Sequence, residues 1–518
     1  MNKASQPIAI FVCSLMASSA WAQAPTLSAV AAARFLEQAS WGPTQSSIAQ
    51  LQTTGINAWL SAQCALNTSD LPDQTLLTSE GKNNNNLAPV QAAFFQNAVT
   101  GQDQLRQRAA FALSEIWVVS ATAGVPEAYA YPPYWRIFRD NAFGNYRDLI
   151  KAVTLNPAMG QYLDMANNNK ANAARGTAAN ENYSREVMQL FTLGLTQLNP
   201  DGSMVLDGNG NPVPTYTQND VTNLAKALTG WTFPTAPGKK AKLNNPSYYI
   251  GSMIPVESEH DTTQKTIFGG VVIPAGQTAE ADLESVLDAL MQQTTMAPFI
   301  GQQLIQHLVT SNPSPAYIQR VSTVFQSSGG NLQKVITAIL TDSEARAGDG
   351  VTTPISANFG HLREPVLFMP NILRALNATL GPSSTIYNDA TAMGQELFYA
   401  PNVFSYFSPK YRTSSGVLGP EFQIYSTQTA AERADIVNAV LYGTLDKSTK
   451  INLSAYLQYA ANTNSLVGAL NTWLLHGAMS DVLQQSVASA ANAASTNQLK
   501  VQAALYVVLT SGEYQIIH

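Results

Sequence analysis

Two polar clusters in this 518-residue chain combine residue types that can do chemistry. The first is Asn180-Glu181-Asn182-Tyr183-Ser184-Arg185-Glu186. At 100° per residue it sets Asn182 and Glu186 one turn apart on one flank of a helix. Both side chains offer oxygen ligands, so the pair can bind a hard cation or position a water. Glu181 and Arg185 share another face at i, i+4 spacing and can hold one another. The same residues, with Glu186 paired to a neighbouring helix, would equally make a packing network. The second cluster is His260-Asp261, with Lys265 and Gly269 following. Histidine titrates near neutral pH and serves as acid or base, aspartate orients a neighbour or binds metal, and lysine neutralises an anion. Successive residues of an extended segment point to opposite faces, so a direct His260 to Asp261 pair is not expected. A catalytic set would require Glu186, His260, Asp261 and Lys265 to converge; a loop-anchoring network is the alternative.

Other polar residues offer binding rather than reaction. Arg363-Glu364, just before Pro365, can tie helices together. Pro401 to Arg412 interleaves aromatic rings with hydroxyls and cations, including Tyr406, Tyr411 and Arg412. Flat rings stack and polar groups fix orientation, so the segment can wall a sugar or peptide site, or pack as an ordered loop. His307 falls in line with Ile300 and Leu304 and reads as a core histidine, while His476 and His518 have no partner pattern. Asp207-Gly208-Asn209-Gly210-Asn211 begins like a calcium loop, but Pro212 and Gln218 occupy positions that need Gly and Glu, which leaves a turn. A Gly-x-Ser-x-Gly elbow, a His-Glu-x-x-His helix, a Walker loop and a Cys-x-x-Cys pair are all missing, and no motif points to a cofactor.

The elements that must position these residues are mostly helical. Thr44 can cap a helix through Leu51, a long helix is expected from Val90 to Val119, and Tyr131-Pro132-Pro133-Tyr134-Trp135 reads as an extended break. On the helix beginning near Asn182, Tyr183, Val187, Leu190, Phe191 and Gly194 form an apolar stripe. Thr217 and Asp220 give a capping-box start, and Thr266 to Ile273 reads as a hairpin turning at Gly269-Gly270. Thr278 then caps the first of several further helices. The fold class is mainly α, expected as two lobes, 23–234 and 278–518, joined by a loop and β-hairpin segment, 235–277. Leu340-Thr341-Asp342-Ser343-Glu344 is echoed by Leu509-Thr510-Ser511-Gly512-Glu513, but no repeat of solenoid length recurs.

Lys3, the apolar run Ile8 to Ala17, and Ala20-Trp21-Ala22 read as an export signal over residues 1–22, cleaved before Gln23. The expected compartment is the periplasm, cell surface or exterior. No later stretch is long and apolar enough to span a membrane. Cys13 falls within the signal, so Cys64 is left alone and no internal disulfide can form. Charged residues make up 12% of the chain, about half the ~25% of ordinary soluble domains, and the net charge of −6 argues against nucleic-acid binding.

The run Asn180 to Gly194 resembles "NENYARELLELFTLG" of the bacterial domain of unknown function 1800 family, and Tyr216 to Phe233 resembles its "YTQ.DV..LARALTGWTF". His260, Asp261, Lys265 and Gly269 fit its "HD...K...G", Leu362 to Val366 its "LREPV", Pro401 to Arg412 its "PSVFNFYSPDYR", and the opening helix its "R.L..A.FGPT". The resemblance covers about Ala33 to Gln515. It implies an exported protein without established activity, often paired with a sulfatase-like companion. The family pattern has histidines where this chain carries Asn156 and, before Pro298-Phe299, Thr294-Thr295-Met296. The leading functional expectation is binding of a macromolecular partner or surface polymer; a metal-assisted hydrolase and a secretion or surface-assembly factor are the alternatives.

Overall fold

The computed structural model describes residues 27–350 and 356–518, so the expected export signal lies outside it. Among the described residues the chain forms 22 α-helices, about half of its length, and three two-stranded antiparallel ribbons. The mainly α class is as expected. The ribbons are β1 (Trp231–Thr232) with β2 (Ile254–Pro255), β3 (Lys265–Ile267) with β4 (Val271–Ile273), and β5 (His361–Leu362) with β6 (Ile516–Ile517). No helix among the described residues is long and apolar enough to cross a membrane.

Local sequence explains where the helices start. Thr44 and Ser47 make a reciprocal capping box on Gln45–Thr54, Thr217 and Asp220 do so on Gln218–Ala227, and Thr278 caps Ala279–Met291. Two expectations are corrected. The long helix from Val90 to Val119 is two helices, Ala88–Thr100 and Gln104–Ile116. The Gln104 side chain donates to Ala98 O (3.1 Å) and Gly101 O (2.7 Å), satisfying carbonyls that the break exposes. The Tyr131 to Trp135 segment is not extended but opens the Tyr131–Asn141 helix. Its two prolines occupy the first turn, where a missing N–H costs nothing. The β3–β4 turn also includes Phe268, at φ 41°, whose N–H is held by Asp220 Oδ1 at 2.8 Å.

The apolar core is continuous from Ala32 to Ile517. At its centre the Pro365–Ala375 helix is buried at every position, including the polar Asn371 and Arg374. The core crosses the boundary expected after residue 234: Ala29–Ala39 packs on Thr463–Leu474 and Leu332–Thr341, and Gln104–Ile116 packs on Met296–Leu308.

The five-residue echo has a structural counterpart. Met296–Leu308, Pro315–Ser327 and Leu332–Thr341 form a three-helix unit, and Thr463–Leu474, Asp481–Ala493 and Asn497–Leu509 form another. In each, the middle helix begins at a capping serine whose N–H and hydroxyl both bond a glutamate placed just after the third helix. Ser314 N lies 3.0 Å from Glu344 Oε1, and Ser480 N lies 3.0 Å from Glu513 Oε2. The matching cap in both units marks an internal structural repeat.

Closure of β5 on β6 depends on Gly360, at φ 101°, where a Cβ would stand 2.3 Å from Ile517 O. Gly360→Ala is expected to lower stability by more than about 1 kcal/mol, because both conformation and space forbid the methyl group. Gly468→Ala, at an exposed interior position of Thr463–Leu474 with open space around it, is expected to raise stability by about 0.8–1 kcal/mol. Urea unfolding of the two variants measures both changes.

Candidate functional site

The hairpin cluster closes on itself. The His260 side chain is fully buried, with Nδ1 2.9 Å from Thr229 O and Nε2 3.2 Å from Asp282 Oδ2. Lys265 Nζ reaches the same carboxylate oxygen at 2.5 Å and donates to Asp261 O, while Gln277 Nε2 holds Asp282 Oδ1 at 3.0 Å. Burial pushes the Asp261 carboxyl up, but bonds from Thr263 and the charge of Lys265 hold it below the ordinary range. Asp282, in the first turn of Ala279–Met291, is the member that sequence spacing missed. This network anchors the hairpin to that helix, and none of its side chains hydrogen-bonds Glu186.

The helix flank divides into separate tasks. Glu181 accepts from Arg185 (3.1 Å), Gln218 (2.9 Å) and Thr222 (2.8 Å), joining Asn182–Gln189 to Gln218–Ala227. Asn182 Nδ2 donates to Asp164 Oδ2 at 3.1 Å. Glu186 Oε2 is buried without a hydrogen-bond partner, and burial pushes its carboxyl up against the opposing charge of Arg185. Asn156, which stands where the resembling pattern has a histidine, caps the Pro157–Tyr162 helix through Ala158 N–H at 2.8 Å.

Arg363 and Glu364 face different partners. Arg363 Nη2 lies 2.6 Å from Glu37, donates through Nη1 to Tyr514 O, and stacks on the Tyr514 ring at 4.2 Å. Glu364 accepts from Gln395 and begins a second group, which encloses Arg108. Glu115 comes from the last turn of Gln104–Ile116, Glu364 caps Pro365–Ala375, and Glu421 lies on the short Pro420–Ile424 turn. All three carboxyls are buried, and Arg108 is 1% exposed. Ser405 Oγ donates to Glu115 at 2.9 Å, His361 Nδ1 stands 3.1 Å from Glu421 Oε1, and Arg108 Nη2 donates to His307 O at 2.5 Å. Glu421 Oε2, Arg108 Nη1 and His361 Nε2 are buried without partners.

Arg108, with Arg433 acting on Glu364, cannot balance three carboxylates in a dry site, so protons remain on the group. Burial pushes Glu421 up to about 8 and, with the charge of Glu421 added, Glu364 to about 7. Burial and the nearby Glu364 raise Glu115 well above the ordinary range. Burial and the positive charge of Arg108 depress His307 and His361 to about 3, so both are neutral bases at working pH. Beside this group lies a 40 Å³ cavity lined by Glu115, Gln303, His307, Phe404, Ser405 and Glu421. On that measure a water needs ~10–15 Å³, so two or three fit.

The aromatic loop forms one wall. Phe404 is 43% exposed at the opening, and Ser405 sits at φ 64°, a left-handed conformation costing of the order of 1 kcal/mol for a residue with a Cβ. Tyr406 is buried and donates to Glu396 O, whereas Tyr411 and Arg412 belong to the following turn, where Arg412 bonds Gly416 O at 2.7 Å. Leu190, one turn beyond Glu186, lines the same cavity. Glu115, Glu421, Ser405 and His307 were not singled out as site residues from sequence. The available signal was Arg108 and Glu115, seven residues apart on one face of the Gln104–Ile116 helix. Among the described residues, no group of three or more His, Cys, Asp or Glu side chains is arranged to hold a metal ion.

Residues 34–516 match the profile of a family described as Protein of unknown function (DUF1800). The chain matches no curated protein and no solved structure.

The proton-holding carboxyls set a pH dependence of stability. Unfolded, Glu364 and Glu421 ionise near 4.5; folded, they do so near 7 and 8, so the native state binds more protons between those values and loses stability as pH rises. The buried histidines act oppositely, but only below their unfolded value of 6.5. Asp389, raised to about 7 elsewhere in the molecule, adds to the fall. The melting temperature is therefore expected to fall from pH 6.5 to 8, and Glu421→Gln to flatten that fall, as thermal melts across the interval would show.

Proposed function

We propose, for a chain that belongs to the DUF1800 family of proteins of unknown function, an exported hydrolase that cleaves a polysaccharide by acid–base catalysis between Glu115 and Glu421. The observation that carries this reading is a pair of buried carboxyls with raised proton affinity lining a cavity large enough for water. Glu421, pushed up to about 8, supplies the base as it ionises, and Glu115, held up by burial and by Glu364, keeps its proton as the acid, so the two roles coexist as pH nears 8. The ionised member takes a proton from water as its oxygen attacks the anomeric carbon. The glycosidic C–O bond breaks, and the leaving oxygen receives the proton of the second carboxyl. Ser405 fixes Glu115 through its hydroxyl, and the strained backbone at that residue holds the donor in place.

The polymer class follows from the opening. The 40 Å³ cavity admits waters and no sugar ring, so a ring rests at its opening, where exposed Phe404 offers a stacking face; Gln303 and Gln306 offer amides and no Lys or Arg is among the described lining residues, which suits a neutral sugar more than a charged chain. The low charge content of the surface agrees with such a ligand. Support for export is the pattern Lys3, Ile8 to Ala17 and Ala20-Trp21-Ala22.

Two outcomes are expected. Intact-mass measurement of the exported protein finds Gln23 as the first residue; full-length protein retained in the cytoplasm would contradict export. Across a panel of neutral polysaccharides, reducing ends are released on at least one, and Glu115→Gln and Glu421→Gln each slow release about 10²–10⁴-fold while retention of the polymer in affinity gels persists. Activity rises as pH approaches about 8, where Glu421 loses its proton and becomes the base. Retention without any release by the unaltered protein would overturn the hydrolytic reading and favour a binding protein.

A further inference from the structure

The Pro365–Ala375 helix carries at its other end a buried cation that the hydrolytic reading does not use. Arg374 is 8% exposed and lies ten residues from Glu364, about 15 Å along the helix. Its Nε donates to Gly42 O at 2.7 Å and its Nη1 to Val99 O at 2.8 Å. Among the described residues its Nη2 makes no hydrogen bond and no carboxylate forms an ion pair with it. Arg34 and Arg363, each 1% exposed, differ in that respect, holding Asp349 at 3.1 Å and Glu37 at 2.6 Å, and Arg108 and Arg433, which make no ion pair among the described residues, feel the charge of Glu364. Backbone carbonyls offset part of a guanidinium charge but do not neutralise it, and an unbalanced charge in a desolvated site is costly.

The unbalanced charge faces open space. Arg374 lines a 260 Å³ cavity together with Ser40, Thr44, Ser47, Gln63 and Gln104, and no Asp or Glu lines it. The N-terminus of the ten-residue Gln45–Thr54 helix borders the same space, and the N–H groups of Gln45 and Ser46 have no partner among the described residues. A helix start and an arginine fork favour the same sign of ligand, and both recognise oxygen atoms of an anion. The volume lies below the ~300–1,000 Å³ of sites for drug-sized ligands, so a compact group fits best. Exposed Ser46, Gln50 and Gln102 at the rim leave room for a larger body outside.

We propose that this cavity binds a small tetrahedral oxyanion, sulfate or phosphate, either free or as the ester substituent of a larger molecule. The site is independent of the hydrolytic reading, since it lies at the opposite end of the helix and shares no residue with the carboxyl group. The ligand oxygens accept from Arg374 Nη2 and from the free N–H groups of Gln45 and Ser46, while the hydroxyls of Ser40 and Ser47 stay committed to Leu36 O and Thr44 O.

The test is isothermal titration of the mature protein with sodium sulfate, sodium phosphate, glucose 6-sulfate and glucose 6-phosphate at constant ionic strength, with sodium chloride as control. Saturable binding of at least one inorganic anion is expected; tighter binding of an ester than of its inorganic anion assigns the group to a larger ligand, and the reverse assigns it to the free ion. Arg374→Gln is expected to weaken binding about tenfold or more, as loss of a charge-assisted hydrogen bond requires. Ser46→Asp, at the exposed rim, is expected to weaken it without unfolding the protein, so the outcome stands even if the arginine variant folds poorly. Binding no stronger than that of chloride, or unchanged in Ser46→Asp and in folded Arg374→Gln, would overturn the proposal and leave Arg374 as a helix cap only.

Discussion

Glu37 is the carboxylate on which the arrangement of the chain depends. It lies on the first described helix, is 3% exposed, and takes two bonds from Arg363 and two from Asn371, with His476 Nε2 at 3.7 Å. Those donors come from β5's continuation, the central helix and the segment after Thr463–Leu474. One buried charge therefore fixes the start, middle and end of the chain against one another. Burial opposes its ionisation, yet the charge of Arg363 and the bonds from Arg363 and Asn371 hold its carboxyl below the ordinary range. Such a carboxylate makes a joint because each lone pair has a donor; removing one donor strands a charge in a dry interior.

The group around Arg108 obeys the same physics with a different count. Glu37 is met by several donors and stays ionised, whereas Glu115, Glu364 and Glu421 outnumber the guanidiniums of Arg108 and Arg433 and hold protons at neutral pH. Because Glu364 follows Arg363 directly, the joint positions the proton-holding group: Arg363 turns toward Glu37 and its neighbour turns toward Arg108. Burial alone does not separate structure from chemistry here. The ratio of donors to carboxyls does, and it leaves Glu421 Oε2 without a partner beside a cavity.

What the sequence made legible was what short spacing encodes. The cap at Thr44, the capping box at Thr217, the helix from Asn182 and the hairpin after Lys265 depend on neighbours within a few residues, and all are present. The Val90 to Val119 break was hidden because Gln104, a good helix former, takes the freed carbonyls only in three dimensions. The Arg108 group was invisible for a related reason: its carboxyls come from three distant segments, and each alone looks like a surface or capping glutamate. His260 and Asp261 drew attention as adjacent ionisable residues, yet the partner that defines His260 is Asp282, on the next helix. The echo of Glu344 in Glu513 was visible, but its meaning required the serine caps that both residues hold.

A chain with only 12% charged residues places many of those charges indoors. Most form closed sets in which opposite signs and donors match, as at Glu37 and Asp282, and such sets specify packing. Two do not close. At one end of the Pro365–Ala375 helix carboxyls outnumber cations, and at the other Arg374 has no carboxylate at all. A fold needs neither imbalance for packing, since an apolar side chain of similar volume would cost less in each place. Both imbalances border space, one large enough for waters and the other for a small anion. Opposite imbalances anchored to one rigid, fully buried helix therefore point to two ligand sites held at a fixed separation.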